Sequence, residues 1–380
     1  MTRNKGPKGY VDYSLIFIVL VLLGFGLIMV YSTSSYEASV SAALQNDPAF
    51  YLKKQAGATV VGLFAMFFTA IFPYNAYRKF AFIGYAVSML LIFMVLTPLG
   101  IEANGARRWL NLGISVQPAE IAKLAMIIFL ATLVERLGGR IRTQKGFWIT
   151  LGSTLPMFFA VWGITDNLSS AIIIFMIGFI MLFVASPEYR RFALLFFGVI
   201  FLIALVIIVV KVTDGAVLGF RGARILAWLD PEAYASGTGY QTLQALYAIG
   251  SGGIFGKGLG QSTQKLGFVP EAQNDMIFSI ICEELGLFGG ICIIVLFLLL
   301  IWRLMIVANN ATDLFGGLLV TGVMGHISIQ VILNIAVVTN LIPNTGISLP
   351  FISYGGSSVV FLLAEIGICM NVARSIKFED

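Results

Sequence analysis

The sequence predicts an all-α polytopic integral membrane protein of about ten transmembrane helices. Both termini are expected in the cytoplasm, and one large extracytoplasmic loop is expected between spans seven and eight. Three observations predict this class. Of 380 residues, 58% are hydrophobic and 11% charged, and the mean hydropathy is +0.93; soluble domains carry about a quarter charged residues. The apolar residues gather into long runs with little or no charge, and Lys and Arg are divided unevenly between the loops. The same composition excludes a soluble globular protein, a disordered chain and a coiled coil. It also excludes a nucleic-acid binder, because a net charge of +5 is small for this length. Cys282, Cys292 and Cys369 all lie in apolar runs, so neither a disulfide framework nor a zinc site is expected.

A helix needs about 20 apolar residues to cross the hydrocarbon core. The first such run, 13–36, is too long for a cleaved leader and reads as a signal anchor. Runs 55–77 and 80–101 follow, then 117–134 with Glu120 and Lys123 inside it. Spans five to seven are 146–165, 167–187 and 192–210, and the long loop 211–274 separates them from span eight, 276–302, which carries Glu283 and Glu284. Residues 314–364 contain His326 as their one ionisable nitrogen base and are too long for a single crossing. They break at 340–350, where Pro343, Asn344, Gly346 and Pro350 fall, giving spans 314–338 and 351–372.

Orientation follows from the basic residues. With the N-terminus inside, cytoplasmic segments hold Arg3, Lys5, Lys8, Arg78, Lys79, Arg136, Arg140, Arg142, Lys145, Arg190, Arg191, Arg303, Arg374 and Lys377, against Lys53, Lys54, Arg107 and Arg108 in the short outer loops. The whole chain, 1–380, reads as one membrane domain with 211–274 as a loop within it. It has no Walker-type glycine loop, dinucleotide fingerprint or HExxH pair, so ATP-driven transport and zinc proteolysis have no support.

The outer surface gathers three polar, glycine-rich segments: 104–123, the long loop ending in 269–275, and 343–358. Glu120 and Lys123 share a helix face, either as a self-neutralising packing pair or as the polar wall of a cavity where Lys123 meets phosphate. Asp275 stands at the mouth of span eight, as a helix N-cap or as a reactive carboxylate. Glu283 and Glu284, about two turns deeper, face a polar interior or cap a helix contact. His326 reads as a hydrogen-bonded packing residue, and Arg107 and Arg108 beside Trp109 as an interfacial anchor or a pyrophosphate clamp. Residues 240–255 alternate apolar and amide side chains, which suits a short helix lying in the interface.

The phrases NGARRWLNLG with QPAEIAK, GTGYQTLQALYAIGSGGIFGKGLGQS, PEAQNDMIFSIICEELG and TGISLPFISYGGSS, in that order on ten spans, resemble the SEDS family of shape, elongation, division and sporulation proteins. The likeness covers essentially the whole chain, and its last phrase is most similar to the division and sporulation branches. The resemblance implies a peptidoglycan glycosyltransferase that polymerises lipid II outside the cytoplasmic membrane, for septal wall synthesis, with a class B penicillin-binding protein as transpeptidase partner among other divisome proteins. It places the family's essential aspartate at Asp275, its charged pair at Glu120 and Lys123, and its motif arginine at Arg108. Where the family carries a QPDLGT-like motif this chain reads Thr165-Asp166-Asn167-Leu168-Ser169-Ser170, so this segment is left out of the catalytic set.

The chemistry implied joins the 4-hydroxyl of one lipid II to the anomeric carbon of another with inversion. Asp275 is the candidate base. The pyrophosphate leaving group needs positive charge rather than a proton, from Arg108, Lys123 or a divalent cation (Mg or Mn) that is not tightly held. Tyr240, Gln241 and Gln244 are candidate sugar contacts or simple packing residues of the loop. A lipid II flippase, an elongation-type polymerase of the same family and a non-catalytic scaffold remain as rivals; polar residues concentrated in the outer half favour catalysis over transport.

Overall fold

The computed structural model describes residues 12–376 apart from residues 104, 112, 114 and 187. Arg3, Lys5, Lys8 and Lys377, which counted towards the orientation, lie outside the described residues, as do Asn104 of the first polar segment and Pro187 at the end of span six.

Helix α1 (Tyr13–Val40) opens under Asp12, whose carboxylate accepts from the Leu15 amide at 3.0 Å and from Arg303 at 2.7 Å. Helices α2 (Phe50–Ile71) and α3 (Tyr74–Met94) follow, joined at Pro73. Span three ends earlier than expected. After Met94 the chain folds into a small antiparallel sheet of β1 (Gly100–Ala103), β2 (Ala106–Asn111) and β3 (Ser115–Val116), with Ile101 opposite Trp109 and Glu102 opposite Arg107. Gly105, at φ 74°, turns the β1–β2 hairpin. Helix α4 (Pro118–Leu137) starts on a proline, which suits a helix N-terminus. Span five is broken into α5 (Gln144–Gly152) and α6 (Leu155–Thr165), with Pro156 in the first turn of the second piece.

Helix α7 (Leu168–Ala185) packs inward, whereas α8 (Tyr189–Val212) is apolar and exposed along almost its whole length, as a lipid-facing helix should be. The long loop contains α9 (Phe220–Leu229) and α10 (Tyr240–Gly252). Helices α11 (Ile277–Asn309), α12 (Leu314–Val338) and α13 (Gly356–Ser375) complete the chain, with α12 buried at the centre. Among the described residues nine helices are long and apolar enough to cross a membrane, counting α5 with α6 as one. Helix α4 makes the tenth crossing; its 20 residues pack against α3, α7 and α12, and Glu120, Lys123, Glu135 and Arg136 set it apart from the rest. The described ends share one face: Asp12 meets Arg303, and Ser375 meets Thr312 at 3.2 Å. The chain is a multi-pass membrane protein.

Helix α11 is not continuous. Gly286 (φ 70°, ψ −170°) breaks it, and the segment after α10 is spliced into the gap. Lys257 and Gly258 amides donate to the Glu283 and Glu284 carbonyls at 2.9 Å, while Leu287 and Phe288 amides donate to Gly253 and Ile254 at 2.9 and 3.1 Å. A Cβ on Gly252, Gly256 or Gly286 would strike the facing backbone, so only glycine fits. The backbone groups freed by the break are therefore satisfied inside the membrane layer, as lipid requires. Helix α10 accordingly descends beside α11 rather than lying in the interface. Its end reaches Cys282 and Glu283, eight residues and about 12 Å below Asp275.

The two glutamates hold this strap down. Glu283 accepts from Lys257 at 2.6 Å, from Ser251 at 3.3 Å, from the Ser262 hydroxyl, and from the Thr263 and Gln264 amides at 3.1 and 3.3 Å. Glu284 takes Lys265 at 2.8 Å and Ser32 of α1 at 2.8 Å. Both carboxylates are fully buried, and each is compensated by a lysine and hydroxyls.

Candidate functional site

Asp275 lies at the outer end of the strap, two residues ahead of α11. It is not a helix cap, because Met276 holds the cap position and no side chain caps there. Its carbonyl accepts from Asn334 of α12 at 2.8 Å, and the same amide group donates to Ile347 at 2.7 Å. One buried side chain thus fixes Asp275 against the 340–355 segment. The Asp275 carboxylate is 9% exposed, and its Oδ1 has no partner among the described residues. A Cβ on Gly346 would lie 3.8 Å from its Oδ2. Burial, reinforced by Glu271, pushes the carboxyl up from 3.8 to about 7; the Arg224 guanidinium opposes the rise.

Arg224 is the cation of this site. Helix α9 carries it over the loop, where it donates to the Asn344 carbonyl at 3.2 Å. Asn344 in turn donates to Gln241 at 2.8 Å, and Gln241 donates to the Pro270 carbonyl at 3.1 Å. Arg224, Trp228, Tyr240, Gln241, Pro270 and Asn344 are among the residues that line a cavity of about 190 Å³. Asp275 is not on its lining, although Arg224, which is, lies within electrostatic reach of it. Of the sugar contacts expected, Tyr240 and Gln241 face this cavity and Gln244 does not.

Arg108 projects from β2 to the break between α6 and α7, donating to the Thr165 and Asp166 carbonyls at 3.3 and 2.9 Å. Asp166, at φ 46°, gives its carboxylate to Arg221 of α9. Arg108, Arg221, Asp166 and Asp275 all lie within electrostatic reach of Arg224. Arg221 and Arg224 are the residues that sequence reasoning missed. Their signal was the spacing Arg221-Gly222-Ala223-Arg224, which puts both on one helix face.

Glu120 and Lys123 are not part of that cluster. They pair at 2.7 Å with side chains only 6% and 2% exposed, so Lys123 has no phosphate-facing position. Beside Glu120 stand His326 and Ser358. His326 Nδ1 is 2.8 Å from Glu365, so the imidazole is hydrogen-bonded within the interior. On α12, His326, Gln330 and Asn334 recur every four residues on one face and join this pair to Asp275. Glu120, His326, Gln330, Asn334 and Glu365 each keep one buried polar atom without a partner among the described residues. Such a column is where ordered water is expected in a protein interior. Below His326 the buried side chains of α12 are apolar except Thr321, whose hydroxyl is spent on the Gly317 carbonyl of its own helix at 2.8 Å, so the column stops midway.

Among the described residues no three His, Cys, Asp or Glu side chains gather in a metal-ligating arrangement. Asp275 and Glu271 do not by themselves make a magnesium or manganese site.

A family model described as "Cell cycle protein", named for FtsW, RodA and SpoVE, matches residues 13–377. The chain is 39% identical to stage V sporulation protein E of Bacillus subtilis, across 99% of this chain and all of that one. It is 36% identical to a probable peptidoglycan glycosyltransferase FtsW of Trichlorobacter lovleyi, across 98% and 96% of the two chains. Among solved structures it resembles a chain from a study of how a peptidoglycan synthase complex coordinates polymerization and crosslinking, with TM-score 0.77, 27% identity and coverage of 96% and 98%. It also resembles the rod shape determining protein RodA of Thermus thermophilus, with TM-score 0.68, 26% identity and coverage of 97% and 98%.

Proposed function

The chain belongs to the FtsW, RodA and SpoVE family of cell cycle proteins, and from that premise we propose that it is a peptidoglycan glycosyltransferase polymerising lipid II on the outer face of the cytoplasmic membrane. The observation that carries the proposal is Asp275: a buried carboxylate with one unpartnered oxygen, pushed up to about 7, within electrostatic reach of Arg224, which lines the cavity of the long loop. A general base works best with a pKa near the working pH. Asp275 takes the proton from the acceptor 4-hydroxyl as that oxygen attacks the donor's anomeric carbon. The new C–O bond forms as the bond to the diphosphate oxygen breaks, and the diphosphate leaves with the electron pair. Arg224, already aligned by Asn344, meets the charge that develops there. The cavity bounded by Tyr240, Gln241 and Asn344 receives sugar beside Arg224.

Identities of 39% and 36% to a sporulation protein and an FtsW, against 26% to a rod shape protein, support a septal role over an elongation role. By the same kinship the partner is a class B penicillin-binding protein within the divisome. A divalent cation, in this proposal, arrives bound to the substrate diphosphate. The flippase alternative draws no support from α12, whose polar column ends at mid-membrane. Purified protein in liposomes carrying lipid II only in the outer leaflet should yield glycan. Translocation of a lipid II analogue without glycan, partner present, would replace the polymerase reading with the flippase one.

A further inference from the structure

We propose that the cytoplasmic turn between α4 and α5, together with the start of α8, binds the headgroup of an anionic phospholipid. Six cations gather on these elements. Arg136 lies in the last turn of α4, Arg140 and Arg142 on the turn Gly138–Arg142, Lys145 at the start of α5, and Arg190 and Arg191 at the start of α8. The elements touch: Arg191 lies over the Phe147 ring at 5.4 Å, and Phe147 meets Phe192 edge to face at 5.3 Å. Glu135 is already taken by Arg78 at 2.8 Å, so the carboxylate left to the six is Glu188, 4.0 Å from Arg191. Six charges against one leave an excess of five, equal to the net charge of the whole chain, +5.

Basic residues on the cytoplasmic side are general in membrane proteins; this patch differs in that its charges are unspent. Elsewhere on that side Arg78 serves Glu135 and Asp313, Arg303 serves Asp12 at 2.7 Å, and Arg374 donates to the Ala70 carbonyl at 3.2 Å. By contrast Arg140, Arg142, Lys145 and Arg190 are exposed and make no ion pair among the described residues. The turn that carries them is nevertheless built. Ile141 is buried beneath it, and the Thr143 hydroxyl donates to the Arg140 carbonyl at 2.7 Å while accepting from the Gly146 amide at 3.1 Å. A Cβ on Gly146 would strike that same carbonyl, so the turn sits directly on α5. These contacts use backbone and hydroxyl groups and leave the cations available. Trp148 and Tyr189, 50% and 64% exposed, flank the patch, and such rings mark the headgroup level of a bilayer. Past them the exposed Ile149, Phe183 and Leu194 offer apolar surface to acyl chains. Charge and depth together select a lipid: an acidic protein segment would satisfy the cations alone, whereas a phosphodiester with its chains meets both.

The test is native mass spectrometry of the full-length protein in detergent, titrated with phosphatidylglycerol and, as the neutral control, phosphatidylcholine. Wild type should retain phosphatidylglycerol in preference. The triple variant Arg142→Gln, Lys145→Gln, Arg190→Gln should bind it about tenfold more weakly or worse, since each basic residue near a lipid surface contributes up to about fivefold. Arg374→Gln removes a cytoplasmic charge from α13, outside the patch, and should bind as wild type does. Equal retention of the two lipids by wild type overturns the proposal, and so does a loss in Arg374→Gln as large as in the triple variant. If the triple variant melts early, Lys145→Gln and Arg190→Gln decide singly: each should lose about three- to fivefold, and wild-type binding by both refutes the site. Patch-dependent binding of a polyglutamate peptide, by a protein indifferent to phosphatidylglycerol, would assign the surface to an acidic protein segment and overturn the lipid.

Discussion

Replacing Asp275 with Asn should stabilise the protein above neutral pH while abolishing its chemistry. The carboxyl rises from 3.8 to about 7 because burial, and then Glu271, disfavour its charge. Folded protein therefore holds this proton in a range where unfolded chain has released it, and stability falls as pH climbs between the two values. The penalty is absent below pH 3.8, grows to pH 7 and is constant above it. At 1.36 kcal/mol per unit it reaches about 4 kcal/mol as an upper figure. An amide of the same shape never ionises and escapes the penalty. Thermal unfolding in detergent, followed by tryptophan fluorescence at pH 5 and pH 8.5, reads this directly. Asp275→Asn should melt higher than wild type at pH 8.5, with a much smaller difference at pH 5. Equal melting temperatures at both values would show that Asp275 is solvated, and the case for a shielded base would fail.

Other perturbations follow from the same geometry. Polymerisation rate should rise about tenfold from pH 6 to pH 8 as the Asp275 carboxylate ionises, and a flat profile would remove it from the rate-limiting step. Glu283→Ala leaves Ser262 and two amides without their acceptor and releases the partly exposed Lys257, and should cost about 1–3 kcal/mol of stability in an SDS-unfolding titration, with Glu283→Gln costing less. Gly286→Ala drives a methyl into Ile254 and Gly256 at a positive φ and should expose the 253–265 strap to proteolysis; unaltered cleavage would mean that the helix break can close. Arg224→Gln should lower the polymerisation rate about 100-fold or more with the melting temperature nearly unchanged, as for loss of one preorganised charge donor.

Most of the topology was legible because the bilayer demands long apolar runs, and the ends of α1, α7, α8 and α12 fall within a few residues of the runs read from the sequence. The sheet at 100–116 was not, since strands of four, six and two residues carry too little periodicity to stand out against an adjoining span. The place of Asp275 before an apolar helix reads as a cap as readily as a reactive group, and it is the family resemblance that marks it as the base. Its partner Arg224 was not legible, because a basic residue in a long polar loop looks like solvated charge until α9 turns it towards residue 344. Glu283 and Glu284 announced a polar environment, but their partners Lys257, Lys265 and Ser32 come together only through the break at Gly286, which pattern alone does not show.

The most direct test of the central claim incubates purified protein, with its cognate transpeptidase, on lipid II and resolves the glycan chains on a gel. Wild type should give long chains, and Asp275→Asn, folded and carrying its partner, should give none. Chains of equal length and yield from both proteins would contradict the assignment of Asp275 as the base.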